Sequence, residues 1–139
     1  MYNCIVIDDE RLARERIVTF VNDRAHWHVI AQSGEYVEAQ ELITRLRPDV
    51  CFIDIKIIGG SGLELVNTLS HIVPCQWVFT TAHSEFALQA FNLGVLDYLL
   101  KPFENHRLET TLQKIERFRQ TSQKKTKKLL AVRSVGAVE

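Results

Sequence analysis

The sequence predicts an α/β protein of the (βα)₅ type, in which a doubly wound, parallel five-stranded sheet carries helices on both faces. Three observations predict it. Apolar runs of strand length alternate with segments of helical period five times along 139 residues. The intervals are so short that the strands must pair in parallel through right-handed crossovers. Four of the five runs also end on a polar residue, Asp8, Asp54, Thr81 or Lys101, so chemistry is concentrated at one edge of the sheet.

The elements follow in order. Cys4-Ile5-Val6-Ile7 is the first strand, and Ala13, Ile17, Phe20 and Val21 share one face of the helix behind it. Val29-Ile30-Ala31 is the second strand; Ser33-Gly34 leads into a helix with Ala39, Leu42, Ile43 and Leu46 on one side, stopped by Pro48. Val50 to Ile53 has no polar alternation, so it reads as a strand buried on both faces. Gly59, Gly60 and Gly62 allow a tight turn before a helix begins near Ser61 and points Leu65, Val66 and Leu69 inward. Trp77 to Thr80 is the fourth strand, and Phe86, Ala90 and Leu93 define the fourth helix. Val95 to Leu100 is the fifth strand, and Leu108, Leu112, Ile115 and Phe118 mark the last helix.

An apolar fraction of 46% supports one ordinary core, and no run of about 18 apolar residues suggests a membrane span. The opening Met1-Tyr2-Asn3-Cys4 meets Asp8-Asp9-Glu10 at once and has no basic region, unlike a secretory signal, so a cytoplasmic protein is expected. Cys4, Cys51 and Cys75 lie in or beside apolar runs without metal-ligand spacing and read as buried thiols. The net charge of zero hides an asymmetry: residues 113–139 carry +6 and the first 112 carry −6. This suggests an acidic globule followed by a basic strip with its own partners.

If the strand order is 2-1-3-4-5, the first and third strands are neighbours and Asp8 or Asp9 faces Asp54. Carboxylates about 4 Å apart repel by roughly 4 kcal/mol per pair at an effective dielectric near 20, and a hard divalent cation would offset this. Magnesium suits such a site because it takes one or two carboxylates and leaves positions for phosphate oxygens. With Lys101 as a cation and Thr81 as a hydroxyl donor, the set fits phosphoryl transfer with Asp54 as nucleophile.

Five ordered motifs sharpen this reading. Asp8-Asp9-Glu10, Phe52-Ile53-Asp54-Ile55-Lys56, the S-G-L-E-L of residues 61–65, the F-T-T-A of 79–82 and the D-Y-L-L-K-P-F of 97–103 together resemble the receiver domain of bacterial two-component response regulators, over about residues 2–120. The stretches around Thr81 and Tyr98 resemble the LytTR-type (LytR/AlgR-like) subfamily, whose members carry a predominantly β DNA-binding domain after the receiver. The resemblance implies a flavodoxin-like fold with the order 2-1-3-4-5, which is borrowed by analogy. It also implies that a sensor histidine kinase phosphorylates Asp54, and that Asp8, Asp9, Asp54 and the main-chain carbonyl of Lys56 hold Mg²⁺. Lys101 and Thr81 would then bind the phosphoryl group, Thr81 and Tyr98 would form the switch, and the Lys101-Pro102 bond would be cis. The side chains of Lys56 and His83 match positions flanking the path of hydrolytic water. Leu88, between polar Glu85, Gln89 and Asn92, is expected on a homodimer face made by the fourth helix, fifth strand and last helix. One position departs from the pattern: Ile58 stands where the loop after the phosphoacceptor usually has proline, leaving residues 57–60 less restrained.

The expected activity is a signalling switch, with no turnover beyond its own phosphorylation and dephosphorylation. Residues 1–120 would form the receiver, 121–128 a basic linker, and 129–139 the first strand of a truncated DNA-binding domain. Three other readings fit the composition. A hydrolase with an aspartyl-phosphate intermediate would carry D-x-D where Asp54-Ile55-Lys56 stands. A flavodoxin-like cofactor binder would want a glycine-rich or hydroxyl-rich first loop in place of Asp8-Asp9-Glu10. The third is a receiver-like interaction module that takes no phosphate.

Overall fold

The strands are short apolar runs rich in Ile, Val and Phe, and the segments between them keep a helical period, so elements alternate. The computed structural model describes residues 1–138, with the side chains of residues 1–124 and 129. The chain forms two compact units, Met1–Asn105 and one beginning at His106. The first contains β1 (Tyr2–Ile7), α1 (Arg11–Asn22), β2 (Trp27–Ser33), α2 (Tyr36–Leu46), β3 (Val50–Ile53), α3 (Gly62–Leu69), β4 (Gln76–Thr81), α4 (Ala87–Asn92, after a 3₁₀ turn at Ser84–Phe86) and β5 (Asp97–Leu100). The five strands are parallel in the order 2-1-3-4-5.

One core fills the face bearing Ile5, Ile7, Cys51, Ile53, Trp77 and Phe79, against Ala39 and Ile43 of α2 and Leu65, Val66 and Leu69 of α3. The alternate residues Cys4, Val6, Phe52 and Val78 are equally buried, as expected of strands covered on both sides. At the sheet's amino edge Tyr2 stacks on Trp27, with ring centroids 4.6 Å apart. The two residues are also paired in the β1–β2 ladder, which runs on to Ile7 and Ser33, so both strands are longer than their apolar runs. Helix α2 ends where Arg47 adopts a left-handed conformation, φ 47°, directly before Pro48.

The second unit is the body of α5, Asn105–Val138. Leu108, Leu112 and Ile115 are buried as their spacing predicts, whereas Phe118 is 50% exposed and is not an inward position. The helix runs through residues 121–128, expected as a linker, and through 129–138, expected as a strand; Glu139 lies outside the described residues. The physical reason is composition. Lys, Leu, Ala, Arg and Gln are good helix formers, no proline interrupts them, and a short apolar run has no period that separates strand from helix. Among the described residues no helix is long and apolar enough to cross a membrane.

Candidate functional site

The site lies where β1, β3, β4 and β5 end. Ile7 and Ile53 are paired neighbours on β1 and β3, so the residues after them enter the same crevice, and the Asp54 N–H donates to the Ile7 carbonyl at 3.0 Å. Carboxylate oxygens of Asp8, Asp9 and Asp54 lie within 4.8 Å of one another. Asp8 is fully buried, Asp54 is 8% exposed and Asp9 is open to solvent.

Lys101 arrives from the end of β5, positioned by its own N–H donating to the Thr81 carbonyl at 2.7 Å. Its Nζ donates to Asp8 Oδ2 at 2.7 Å and to Asp54 Oδ2 at 3.0 Å. Asp8 Oδ1 accepts from the Glu10 N–H at 2.9 Å. Asp54 Oδ1 is buried and, among the described residues, accepts from nothing. Burial pushes the Asp8 carboxyl above its ordinary value, with Lys101 and the Glu10 N–H opposing the rise. Burial alone would lower Lys101, but the hydrogen bonds and charges of Asp8 and Asp54 outweigh it and hold the ammonium above its ordinary range. Three carboxylates against one ammonium leave excess negative charge around a buried, unpartnered oxygen. That donor set fits a hard divalent cation with oxygen ligands, and magnesium is such a cation.

Tight backbone packing shapes this crevice. A Cβ on Gly62 would stand 2.0 Å from the Asp54 carbonyl oxygen, so only glycine permits the chain to fold back there. Between Asp54 and Gly62 the chain forms a two-residue ribbon, Lys56–Ile57 against Gly60–Ser61. The side chain of Lys56 is exposed. The loop lacks proline at 58 and is tied to the connection before α2 by two main-chain hydrogen bonds. The Ile58 N–H donates to the Gly34 carbonyl at 3.1 Å, and the Ile58 carbonyl accepts from the Tyr36 N–H at 2.8 Å.

The remaining expected residues gather at the other end of the edge. Thr81 is fully buried, and its Oγ1 accepts from the His83 N–H at 3.3 Å. The Tyr98 hydroxyl donates to the His83 carbonyl, and the Tyr98 ring packs between Phe79 and Phe91 at 6.1 and 6.4 Å. Burial, then the charges of Glu85 and Asp54, raises the Tyr98 phenol above its ordinary value. The His83 imidazole pairs with Glu85, Nδ1 to Oε1 3.3 Å. The Lys101-Pro102 peptide bond is cis. Leu88 is 75% exposed on α4.

Two arginines were not anticipated. Arg14 donates from Nη1 to the Asp8 carbonyl at 2.7 Å and from Nε to Gln32 Oε1 at 3.0 Å. Arg16 donates to the Phe103 carbonyl and to Asn105 Oδ1 at 3.2 Å, and lies 4.7 Å above the Phe103 ring. Each makes one bond to main chain, at a site residue or two residues from one, and one to a side chain. The only sequence signal was basic side chains in the first two turns of a helix that follows an acidic loop.

Residues 4–113 match the family described as response regulator receiver domain. The chain is 39% identical over 117 residues to an uncharacterized response regulatory protein of Vibrio cholerae, covering 84% of this chain and 49% of that protein. It is 38% identical over 119 residues to the transcriptional regulatory protein BtsR of Escherichia coli K12, covering 86% and 50%. It is 37% identical over 122 residues to the sensory transduction protein LytT of Bacillus cereus, covering 87% and 50%. The chain thus spans about half the length of the curated relatives it matches. Among solved structures, the receiver domain of AraT from Geobacillus stearothermophilus superposes with a TM-score of 0.77 at 33% identity, covering 87% of this chain and 98% of that one. The response regulatory domain of mrkE from Klebsiella pneumoniae does so with a TM-score of 0.81 at 27% identity, covering 86% and 98%.

Proposed function

The chain belongs to the response regulator receiver domain family, and from that membership we propose that it is a Mg²⁺-dependent switch phosphorylated on Asp54. The observation that carries the proposal is the state of the Asp54 carboxylate. One oxygen is held by Lys101, and the other is buried without a partner beside Asp8 and Asp9. Such an oxygen is a nucleophile needing only charge neutralisation and a donor aligned with it.

In the proposed reaction an Asp54 oxygen bonds to the phosphorus of a phosphohistidine on a sensor histidine kinase. The phosphorus–nitrogen bond breaks, and the imidazole keeps the electron pair and takes up a proton. Asp8, Asp9, Asp54 and the Lys56 carbonyl are the ligands for Mg²⁺, which when bound supplies positive charge against the phosphoryl oxygens. The Lys101 ammonium passes from Asp54 Oδ2 to a phosphoryl oxygen. Thr81 Oγ1 accepts from His83, which leaves its own hydroxyl hydrogen to donate to another. Movement of Thr81 alters the His83 main chain on which the Tyr98 hydroxyl rests, and so turns Tyr98.

The downstream consequence is homodimerisation through α4, β5 and α5, with Leu88 in the contact, and control of a LytTR-type DNA-binding domain in a longer cytoplasmic protein. A role in transcriptional control within a longer chain is supported by relatives about twice as long, one of them named as a transcriptional regulatory protein. Receiver residues 1–120 would pass the signal through the basic stretch 121–128 of α5.

Incubation with acetyl phosphate and Mg²⁺ is expected to add one phosphoryl group, mapped by peptide mass to Asp54 and absent without metal. Asp54→Asn should abolish it. Uptake by Asp54→Asn equal to that of the parent would sink the reading. The decay of the same mass shift should change in Lys56→Ala and His83→Ala, the two side chains proposed to set its lifetime.

A further inference from the structure

The acid pair and the loop after Asp54 come from strands β1 and β3, but they do not touch only each other. The connection from β2 to α2, Ser33 to Tyr36, lies between them and is bonded to both. On one side the Asp8 N–H donates to the Ser33 carbonyl at 2.9 Å. Gly34 is packed so closely that a Cβ there would stand 2.9 Å from Asp9 Cα, 3.1 Å from the Asp8 carbonyl oxygen and 3.3 Å from Arg14 Nη1. Arg14 closes this side by joining the Asp8 carbonyl to Gln32 of β2. On the other side, the Gly34 carbonyl accepts from the Ile58 N–H and the Tyr36 N–H donates to the Ile58 carbonyl, forming a parallel bridge at Glu35 and Ile58. The Tyr36 ring covers Gly60, where an added Cβ would meet ring carbons at 2.5 to 3.1 Å.

We propose that the β2–α2 connection is a positioning element for the acidic pocket, with Gly34 and the main chain of Ile58 as its two working points. The inference rests on the metal reading given above. None of these groups touches the cation; they act by fixing the backbone on which Asp8, Asp9 and the Lys56 carbonyl are carried. Gly34 makes the contact with Asp9 possible, because any side chain there would push Asp9 Cα away. Ile58 acts through its N–H and carbonyl. Its side chain is 60% exposed and takes no part. A proline at 58 has no N–H and would release the loop from Gly34. Because linkage is reciprocal, a cation that orders Asp8 and Asp9 must also tighten the Ile58 bridge.

Two measurements on the full chain test this. Amide hydrogen exchange without metal should show Ile58 and Tyr36 protected in the parent, and Gly34→Ala should release Ile58. Titration with Mg²⁺, followed by calorimetry, should show about fivefold to tenfold weaker binding in Ile58→Pro, while Ile58→Ala stays within about twofold of the parent. Magnesium should also slow Ile58 exchange in the parent. A folded Ile58→Pro that binds Mg²⁺ like the parent overturns the proposal, and so does an Ile58→Ala that loses as much affinity. Unprotected Ile58 and Tyr36 amides in the parent would equally overturn it, whatever the metal does. A parent that takes no Mg²⁺ would instead bring down the metal reading, and the exchange measurements would then decide by themselves whether the connection joins the two loops.

Discussion

The two ends of the carboxyl edge are held together by different forces. At the acid pocket, Asp8, Asp9 and Asp54 crowd within 4.8 Å and are balanced by one ammonium that touches two of them. By Coulomb's law at an effective dielectric near 20, a carboxylate pair at that separation repels by about 3–4 kcal/mol and each ammonium contact attracts by about 6 kcal/mol. At the Thr81–Tyr98 end, two neutral hydrogen bonds meet on the main chain of His83, and each contributes about 1 kcal/mol net. On the proposed reading the two ends are coupled, and the coupling is reciprocal: a change of charge in the pocket shifts the hydroxyl end by the same free energy with which the hydroxyl end shifts the pocket, and the weaker hydrogen bonds limit its size.

The largest test removes the ammonium. Lys101→Met leaves three crowded carboxylates, two of them buried, and should cost about 3 kcal/mol of stability at neutral pH, read from urea midpoints. Acid should recover part of it. The folded-state pKa of Asp8 lies above its ordinary value of 3.8, so the folded chain binds that proton more tightly than the unfolded one. Stability therefore rises as pH falls through that raised value to 3.8, and the gain is complete below it. In the parent, Lys101 titrates above 10.5, and its contribution should be complete below 10.5 and lost as pH rises through the folded value. Lys101→Met should lack this alkaline loss. A variant as stable as the parent at pH 7 would end the contrast between the two regions.

Tyr98→Phe deletes only a neutral hydrogen bond and should cost about 1 kcal/mol or less. Its rate of phosphate gain should match the parent, while amide exchange around His83 quickens. If uptake slowed along with the loss of the hydrogen bond, the two regions would be one unit. The smallest effect belongs to Leu88→Ser on the exposed side of α4. Monomer stability should stay within about 0.5 kcal/mol, and only association of the phosphorylated form, measured by sedimentation, should weaken.

Much of this could be read before any coordinates. Val50 to Ile53 lacks polar alternation and is buried throughout. Asp8, Asp54 and Lys101 each end an apolar run, so their gathering follows once the strands are parallel and share one carboxyl edge. Arg14 and the contacts made by Gly34 and the Ile58 main chain escaped notice because they work through carbonyls, N–H groups and close backbone approach, none of which has a residue-type signature. The absence of proline at 58 suggested a loose loop, because the bridge to Gly34 depends on a segment more than twenty residues away. Phe118 keeps the helical period of its neighbours yet is exposed, since period alone does not say where a buried surface stops.

Order along the chain determined the alternation of strands and helices and the edge at which charge collects, because each depends on near neighbours and hydrophobic period. Only the folded chain decided which oxygen of Asp54 stays without a partner, which backbone brackets Asp8 and Asp9, and that α5 continues where a strand was expected. Those outcomes depend on distances between segments remote in sequence, and local composition carries no record of them.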